Sequence, residues 1–546
     1  MFVAKAHKAT NKVTTVPAPI GGLNARDSLA AMPATDAIIM RNVWPQPYGC
    51  SVRKGYAKHV NGLIGEVSSL AVWHSETGTQ KMFAWADTAV IDVGICLFEV
   101  TACGTLVPAD ALLVDLVSSV WQTASLSNSA GSHLIAVSGA DAGILYNTSG
   151  VQSLIAGGGI VANTWAGLNP INAIQLTVHQ GRLWAVEKNT SFGWYLPVGA
   201  IYGTLVKFDF GPLFAHGGFL QFLATWTLDD GNGAEDHLVA MSSTGDVVVY
   251  GGTDPTSDTT WSLVGVYFAG APVSGRRSYA KVGGDLVVIT QRGVVSLTSL
   301  LASTKVNQDN QVVKSSKIQY LVSAATSDYS DLAGWELAYA PSYNMLILNV
   351  PTTVFDGNFQ LVSNEIMPEP TWTQFSGIDA ASWAVFNHKL YFGDYLGGVY
   401  EAWTGNLDNQ PSVCAPDPAA PGDDISFEVQ QAYSYLNAPS IQKQVSMYRP
   451  NFLTTGVISY ASKIDYDFSS LTLPPLTSAP IGGGSSSRWG ASLWDTGIWG
   501  GGLTTDRIWS QAQGTGVAMS VHIAGAVSTE LLWVSTDYSY RQGSLL

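Results

Sequence analysis

This chain carries little charge. Asp, Glu, Lys and Arg make up 12% of its 546 residues, about half the roughly 25% of an ordinary soluble protein. The balance is acidic, with 26 basic side chains against 41 acidic ones and a formal net charge of −15. A surface of that sign does not grip a phosphate backbone by counterion release, so tight nucleic-acid binding is excluded. Long apolar runs are also missing. The stretch "ALLVDLVSSVW" (111–121) is interrupted by Asp115 and falls short of the roughly 18 residues a membrane span needs, so no transmembrane helix is expected. The N-terminal "MFVAKAHKATNKVTT" has basic residues but no apolar core, and reads as a short basic arm and not as a secretory signal. Four cysteines (Cys50, Cys96, Cys103 and Cys414) show neither a CxxC nor a Cys/His metal spacing. The expectation is four reduced, buried thiols.

Catalytic signatures are lacking too. There is no GxSxG elbow and no HExxH helix. The glycine runs near Gly157 and Gly482 lack the Lys and Ser/Thr of a phosphate loop. The acidic "LDDGNGAEDH" (228–237) departs from calcium-loop spacing, and reads as a hairpin turn. His133, His237 and His388 recur at equivalent strand starts, which is a repeat effect and not a metal triad. No enzyme activity, cofactor or metal is expected.

What is present is β structure. Hydrophobic residues reach 46%, with 56 glycines and 18 tryptophans, so the chain folds. Seven apolar hairpins recur: "KMFAWADTAVIDV" from Lys81, "HLIAVSGADAGILYN" from His133, "RLWAVEKNTSFGWYL" from Arg182, "HLVAMSSTGDVVVYGG" from His237, "DLVVITQRGVVSLTSL" from Asp285, "NMLILNVPTTVFDG" from Asn344 and "HKLYFGDYLGGVYEAW" from His388. Their starts lie 44 to 59 residues apart. That loose period, with about four strands per repeat, predicts an all-β fold built on a β-propeller of six to seven blades.

The domain reading follows from composition: an N-terminal docking arm at 1–60, a propeller at 61–404, a Pro/Gly/Asp linker at 405–424 and a C-terminal β-sandwich-like domain at 425–546. Within the arm, residues 35–43 are expected to form a short helix capped by Thr35 or Asp36. The C-terminal region contains "SSSRWGASLWDTGIWGGGLTTDRIWS", with Trp489, Trp494 and Trp499 five residues apart and Trp509 ten further on. A spacing of five fits neither strand nor helix, so these rings cannot line one face of a regular element. Each can bury roughly 200 Å², and together they are expected to anchor turns against the C-terminal domain or a neighbouring subunit.

The arm, "PAPIGGLNARDSLAAMPATDAIIMRNVWPQPYGCSVRKGYAKH" (17–59), resembles the start of tail nozzle, or tail-hub and head-stabilisation, proteins of short-tailed phages. The resemblance rests on Gly21, Gly22 and Asn24 of a Gly-Gly-Leu-Asn opening, on Asp36, and on Arg53 to Tyr56 of an Arg-Lys-Gly-Tyr entry. It implies a virion structural protein, assembled in the bacterial cytoplasm. Such a protein forms a hexameric ring below the adaptor and portal and extends the DNA-ejection channel. It further implies contact with adaptor proteins, with tail fibres or spikes, and with a host surface as a possibility. Gly21, Gly22, Asn24, Asp36, Arg53, Tyr56 and the four tryptophans are the candidate interface residues. Six copies would carry about −90, and an acidic wall lets DNA slide without sticking. The competing reading is a carbohydrate-binding propeller or receptor reader that uses the tryptophans as stacking platforms.

Overall fold

The computed structural model describes residues 11–87, 94–155, 164–229, 234–302, 313–353, 358–412, 414, 421–456, 458–469, 472–474, 477–479 and 504–545. Five of the seven hairpins supply the second and third strands of their blades; those from Lys81 and Asn344 supply the second strand, their remainders at 88–93 and 354–357 lie outside the described residues, and the third strands there are Ile95–Glu99 and Phe359–Asn364. The first four units are separate four-stranded sheets, the four strands of the sixth run on into a larger sheet, and the seventh sheet has five strands. The fourth blade, for example, runs Leu220–Asp229, Ala234–Ser242, Asp246–Gly252 and Trp261–Phe268. The fifth unit has three strands (Tyr279–Val282, Asp285–Thr290, Gly293–Ser296), and the helices Leu297–Ala302 and Gln319–Tyr329 follow it. The first strands of successive units pack side by side, and the seventh, Ala380–Phe386, returns to the first, Ile64–His74, so the ring closes.

Local chemistry explains these sheets. The middle strand Met345–Val350 is buried at every position and Gly131–Val137 at all but its first, because blades stack face to face and both strand faces need apolar side chains. The first two strands of the third and seventh units are joined by Gln180-Gly181 and Asn387-His388. In both pairs the central residues have positive φ (49° and 68°; 48° and 63°), the type I′ geometry whose twist matches the flanking strands. The space between neighbouring blades is filled by separate apolar clusters. Trp73, Phe83, Trp85, Trp121 and Leu134 bridge the first and second, and Ile174, Trp184, Leu223 and Trp261 bridge the third and fourth.

The N-terminal segment contributes five strands: β1 (Lys12–Pro17), β2 (Ala37–Arg41), β3 (Val43–Gln46), β4 (Gly49–Val52) and β5 (Tyr56–Asn61). β5 pairs antiparallel with Val399–Ala402 as the fourth strand of the seventh blade, and Gly104–Thr105 adds a short parallel strand beyond it. N- and C-terminal chain thus share one blade, and the boundary expected at residue 60 runs through β5. β1 and β4 pair in tandem with one edge of the long strand Leu531–Leu545, and Ile441–Thr454 covers its other edge. β2 pairs with Asp423–Gln431, which leads on to Met519–Val527 and Ile458–Tyr466. These two sheets form the C-terminal sandwich around Val43, Cys50, Phe427, Tyr448, Phe452, Val521, Ile523 and Trp533.

Three expectations are corrected. The helix over 35–43 is strand β2. Ile38 and Ile39 suit a pleated surface, and pairing on both sides overrides the local helical signal: Arg41 sits parallel to Gln374 of the sixth blade while the other edge meets Asp423–Gln431. The segment 405–424 is not wholly a linker, since Leu407–Asp408 pairs with Asp423–Asp424. The four thiols are not all free: Cys103 and Cys414 form a disulfide across 311 residues with Cα atoms 6.1 Å apart, while Cys50 and Cys96 are free and buried. A separation of that length carries no spacing signal.

Candidate functional site

The residues of the arm motif are spent on contacts inside the chain. Gly22 has φ of 78°, and a Cβ there would come within 2.7 Å of the Trp372 carbonyl oxygen. At Gly21 a Cβ would run into Asp36 Oδ1. The glycines therefore let the chain lie flat against the sixth blade, where the Leu23 amide donates to Trp372 O (2.8 Å) and the Ala37 amide to Gly22 O (2.8 Å). Asn24 Nδ2 donates to Asp36 Oδ2 (2.7 Å), and Lys317 Nζ, from the turn before the long helix, reaches Asp36 Oδ1 (3.1 Å).

Arg53 forms the second fastening. Its side chain is fully buried and forks onto Asp408, Nη1 to Oδ1 at 2.7 Å and Nη2 to Oδ2 at 2.6 Å. Nε donates to Asn42 Oδ1 (3.0 Å) and Nη2 also donates to Ser376 O (3.0 Å). Asn42, at φ 55°, donates in turn to Ser426 O (2.8 Å). One guanidinium therefore ties the arm, the sixth blade, the end of the propeller and the sandwich together. Burial raises the Asp408 carboxyl against the pull of Arg53. Tyr56 packs edge-on against Phe392 and Tyr400 (5.3 and 5.4 Å), and burial pushes its hydroxyl up to about 12.

Gly22, Asn24, Asp36 and Arg53 are buried, and Gly21 and Tyr56 half-buried. The hydrogen-bond and ring partners described for these residues belong to the same chain. Trp509 is half-buried on the sandwich under the Arg449 guanidinium, 4.7 Å from the ring centroid, and Arg449 Nε is held by Asp537 (2.7 Å). Trp489, Trp494 and Trp499 lie outside the described residues.

Sequence reasoning missed the propeller axis. Arg277, just before the first strand of the fifth unit, reaches across the bore. It donates to Ser68 O (3.0 Å) and Ser69 Oγ (2.7 Å) of the first blade and to Trp121 O (2.9 Å), beside the second. It also faces Glu336 of the sixth at 3.4 Å. Burial raises the Glu336 carboxyl, with Arg277 opposing the shift. This side chain closes the bore to anything as wide as a duplex. The signal was present: "GRRS" places two adjacent arginines in a chain with only 26 basic residues. Among the described residues no group of three His, Cys, Asp or Glu could hold a metal, and no helix is long and apolar enough to cross a membrane.

The outer rim offers a different surface. The outermost strand of the first blade, Ala111–Leu116, exposes Leu112 and Val114, and that of the fourth, Trp261–Phe268, exposes Leu263, Val264, Val266 and Phe268. Among the described residues each is an unpaired sheet edge. In a ring of seven units the first and fourth stand on nearly opposite sides.

No family model matches the chain, and neither does any curated protein. Among solved structures it is similar to BBS1N in complex with ARL6DN (10% identity, TM-score 0.35, covering 66% of this chain and 100% of that one). It is also similar to YCF48 bound to D1 peptide (13%, 0.32, 68% and 99%) and to BamB from Moraxella catarrhalis (11%, 0.34, 72% and 98%). At TM-scores this low the likenesses carry no functional argument, and the fold rests on the sheets described above.

Proposed function

We propose that the chain is a non-catalytic structural subunit of a phage tail nozzle or hub, closing with five further copies into a ring below the adaptor and portal. The observation that carries this reading is the pair of exposed apolar edges on the first and fourth blades. A ring needs two different patches on well-separated sides of each subunit, joined head to tail. Long apolar edges left bare are an association hazard that proteins otherwise cover or charge. Because Arg277 blocks the propeller's own bore, the DNA path in this reading is the axis of the ring of subunits, with acidic chain around it.

The experiment is a mass measurement and particle image of the purified full chain, beside a Val264→Asp/Val266→Asp variant of the fourth-blade edge and a Val114→Asp variant of the first. The reading expects a six-membered ring for the unaltered chain, and both variants as folded monomers with unchanged melting. A monomer in all three under virion-like conditions overturns it. Intact rings from a variant virion that no longer adsorbs to cells would point to receptor reading instead.

A further inference from the structure

The mouth of the bore contains a cavity of about 510 Å³ whose wall is drawn from the second to fifth units. A smaller one of about 90 Å³ continues toward the first, sixth and seventh. Both are lined by Gln122 and Arg276. Arg277 is fully engaged in bridging blades, but its neighbour Arg276 makes no hydrogen bond or ion pair among the described residues. Burial alone pulls its guanidinium down to about 10. Arg276 is half-buried at the cavity wall, and a cation without an ion-pair partner there is available to an incoming anion.

A second donor in the same wall lacks an acceptor: Gln122 Nε2 is sealed from solvent with no hydrogen-bond partner. The surroundings are otherwise fixed. Gln221 Nε2 holds Gly275 O (2.7 Å), and the Ser274 amide donates to Ser330 O (3.2 Å), so the loop presenting Arg276 is braced from two sides. Lys188, with its Nζ 3.3 Å from Gly139 O, adds a second positive charge to the larger cavity, and Asp331 adds one negative charge. In the larger cavity the excess is a single positive charge, which suits a monoanion better than a dianion, while the wall of the smaller one sets Glu66 and Glu336 against Arg276 and Arg277. A planar guanidinium fork beside an amide donor matches the two oxygens of a carboxylate.

We propose that the axial mouth of the propeller is a carboxylate-binding site, with Arg276 as the bidentate anchor and Gln122 as the accessory donor. The carboxylate is either a free small acid or a Glu or Asp side chain presented by a partner chain, and the two are separable by experiment.

The test titrates the full chain with acetate and with a capped Gly-Glu-Gly peptide, by calorimetry and by thermal melting against a chloride background. Saturable binding with a rise in melting temperature is expected. In Arg276→Met, affinity should drop about tenfold or more, the size of a lost charge-assisted pair. In chloride alone, Arg276→Met should melt no lower than the unaltered chain, because it removes a half-buried charge that has no ion-pair partner among the described residues. Gln122→Leu should weaken binding while the fold persists, which keeps the test meaningful should Arg276→Met misfold. Tighter binding of the peptide identifies a partner side chain as the source, and equal binding identifies a free acid. Absence of saturable binding by both probes, binding that survives both substitutions, or sulfate bound more tightly than acetate overturns the proposal.

Discussion

The propeller and the sandwich are both antiparallel β structure, yet they are assembled from opposite kinds of contact. Within each of the first six units the strands pair with near neighbours in sequence, as Leu346 faces Ser363 and Val239 faces Val249, the junction of the sixth blade with β2 aside. In the sandwich, Lys12 faces Tyr540 and Cys50 faces Trp533. The seventh blade belongs to both schemes, since three of its strands are local and the fourth is β5. Local pairing closes short loops and forms early, whereas pairing across the whole chain is slow and must await its partner. The arm is therefore the last part of the fold to be placed. It also holds the two regions together, through β2 in the sheets and Arg53 at the junction.

The most severe way to break this arrangement is deletion of residues 1–61. It strips β5 from the seventh blade and four strands from the sandwich, and exposes Val43-facing and Trp533-facing core. The expected outcome is loss of cooperative folding, seen as a missing melting transition and insoluble product. A soluble propeller with native far-UV circular dichroism would break the comparison. Next in size is Arg53→Met. It leaves Asp408 buried without its partner, and breaking such a pair by removing one side costs about 3–5 kcal/mol. Denaturant titration should report that loss. The double change Arg53→Met/Asp408→Leu should recover part of it, because no uncompensated charge remains.

Gly22→Ala should cost about 1–3 kcal/mol, since it combines a left-handed backbone with a clash against Trp372 O. Gly78, also at positive φ but with nothing near its missing Cβ, sharpens the point. Gly78→Ala should cost only the backbone part, and equal losses at the two sites would contradict the docking of the arm.

The smallest effect is a pH dependence confined to the sandwich. Burial pulls the His522 imidazole down, but Asp465 and Glu428 (3.0 Å from Nε2) outweigh it, and the group ends up raised. Its contribution is full below the unfolded histidine value near 6.5 and fades as pH climbs through the higher folded value. Glu428 is lowered, first by its bond to His522 and against burial. Its contribution is present above the ordinary glutamate value and fades as pH falls. The sandwich should therefore be most stable from about pH 5 to 6.5 and lose stability above that. His522→Gln should flatten the alkaline limb, measured as melting temperature from pH 5 to 9.

The same division explains what could be read from sequence. The seven hairpins were legible because each carries its own apolar pattern and turn, and none needs information from elsewhere in the chain. The Gly-Gly-Leu-Asn and Arg-Lys-Gly-Tyr motifs were legible as unusual, but not as structural, because their partners Trp372, Lys317 and Asp408 are hundreds of residues away. Residues 35–43 read as helix for the same reason: β2 is extended only because Gln374 and Asp423–Gln431 flank it. The Cys103–Cys414 bond and the pairing of Arg277 across the axis depend equally on closure of the ring, which no local pattern encodes.

Hydrogen–deuterium exchange of the intact chain tests most directly the claim that the N-terminal segment is an integral part of both regions. The account predicts that amides of β1 and β4 exchange as slowly as those of Leu531–Leu545, and that amides of β5 exchange in step with Val399–Ala402. Rapid exchange throughout residues 12–61, with both partner strands still protected, would show a free arm and contradict it.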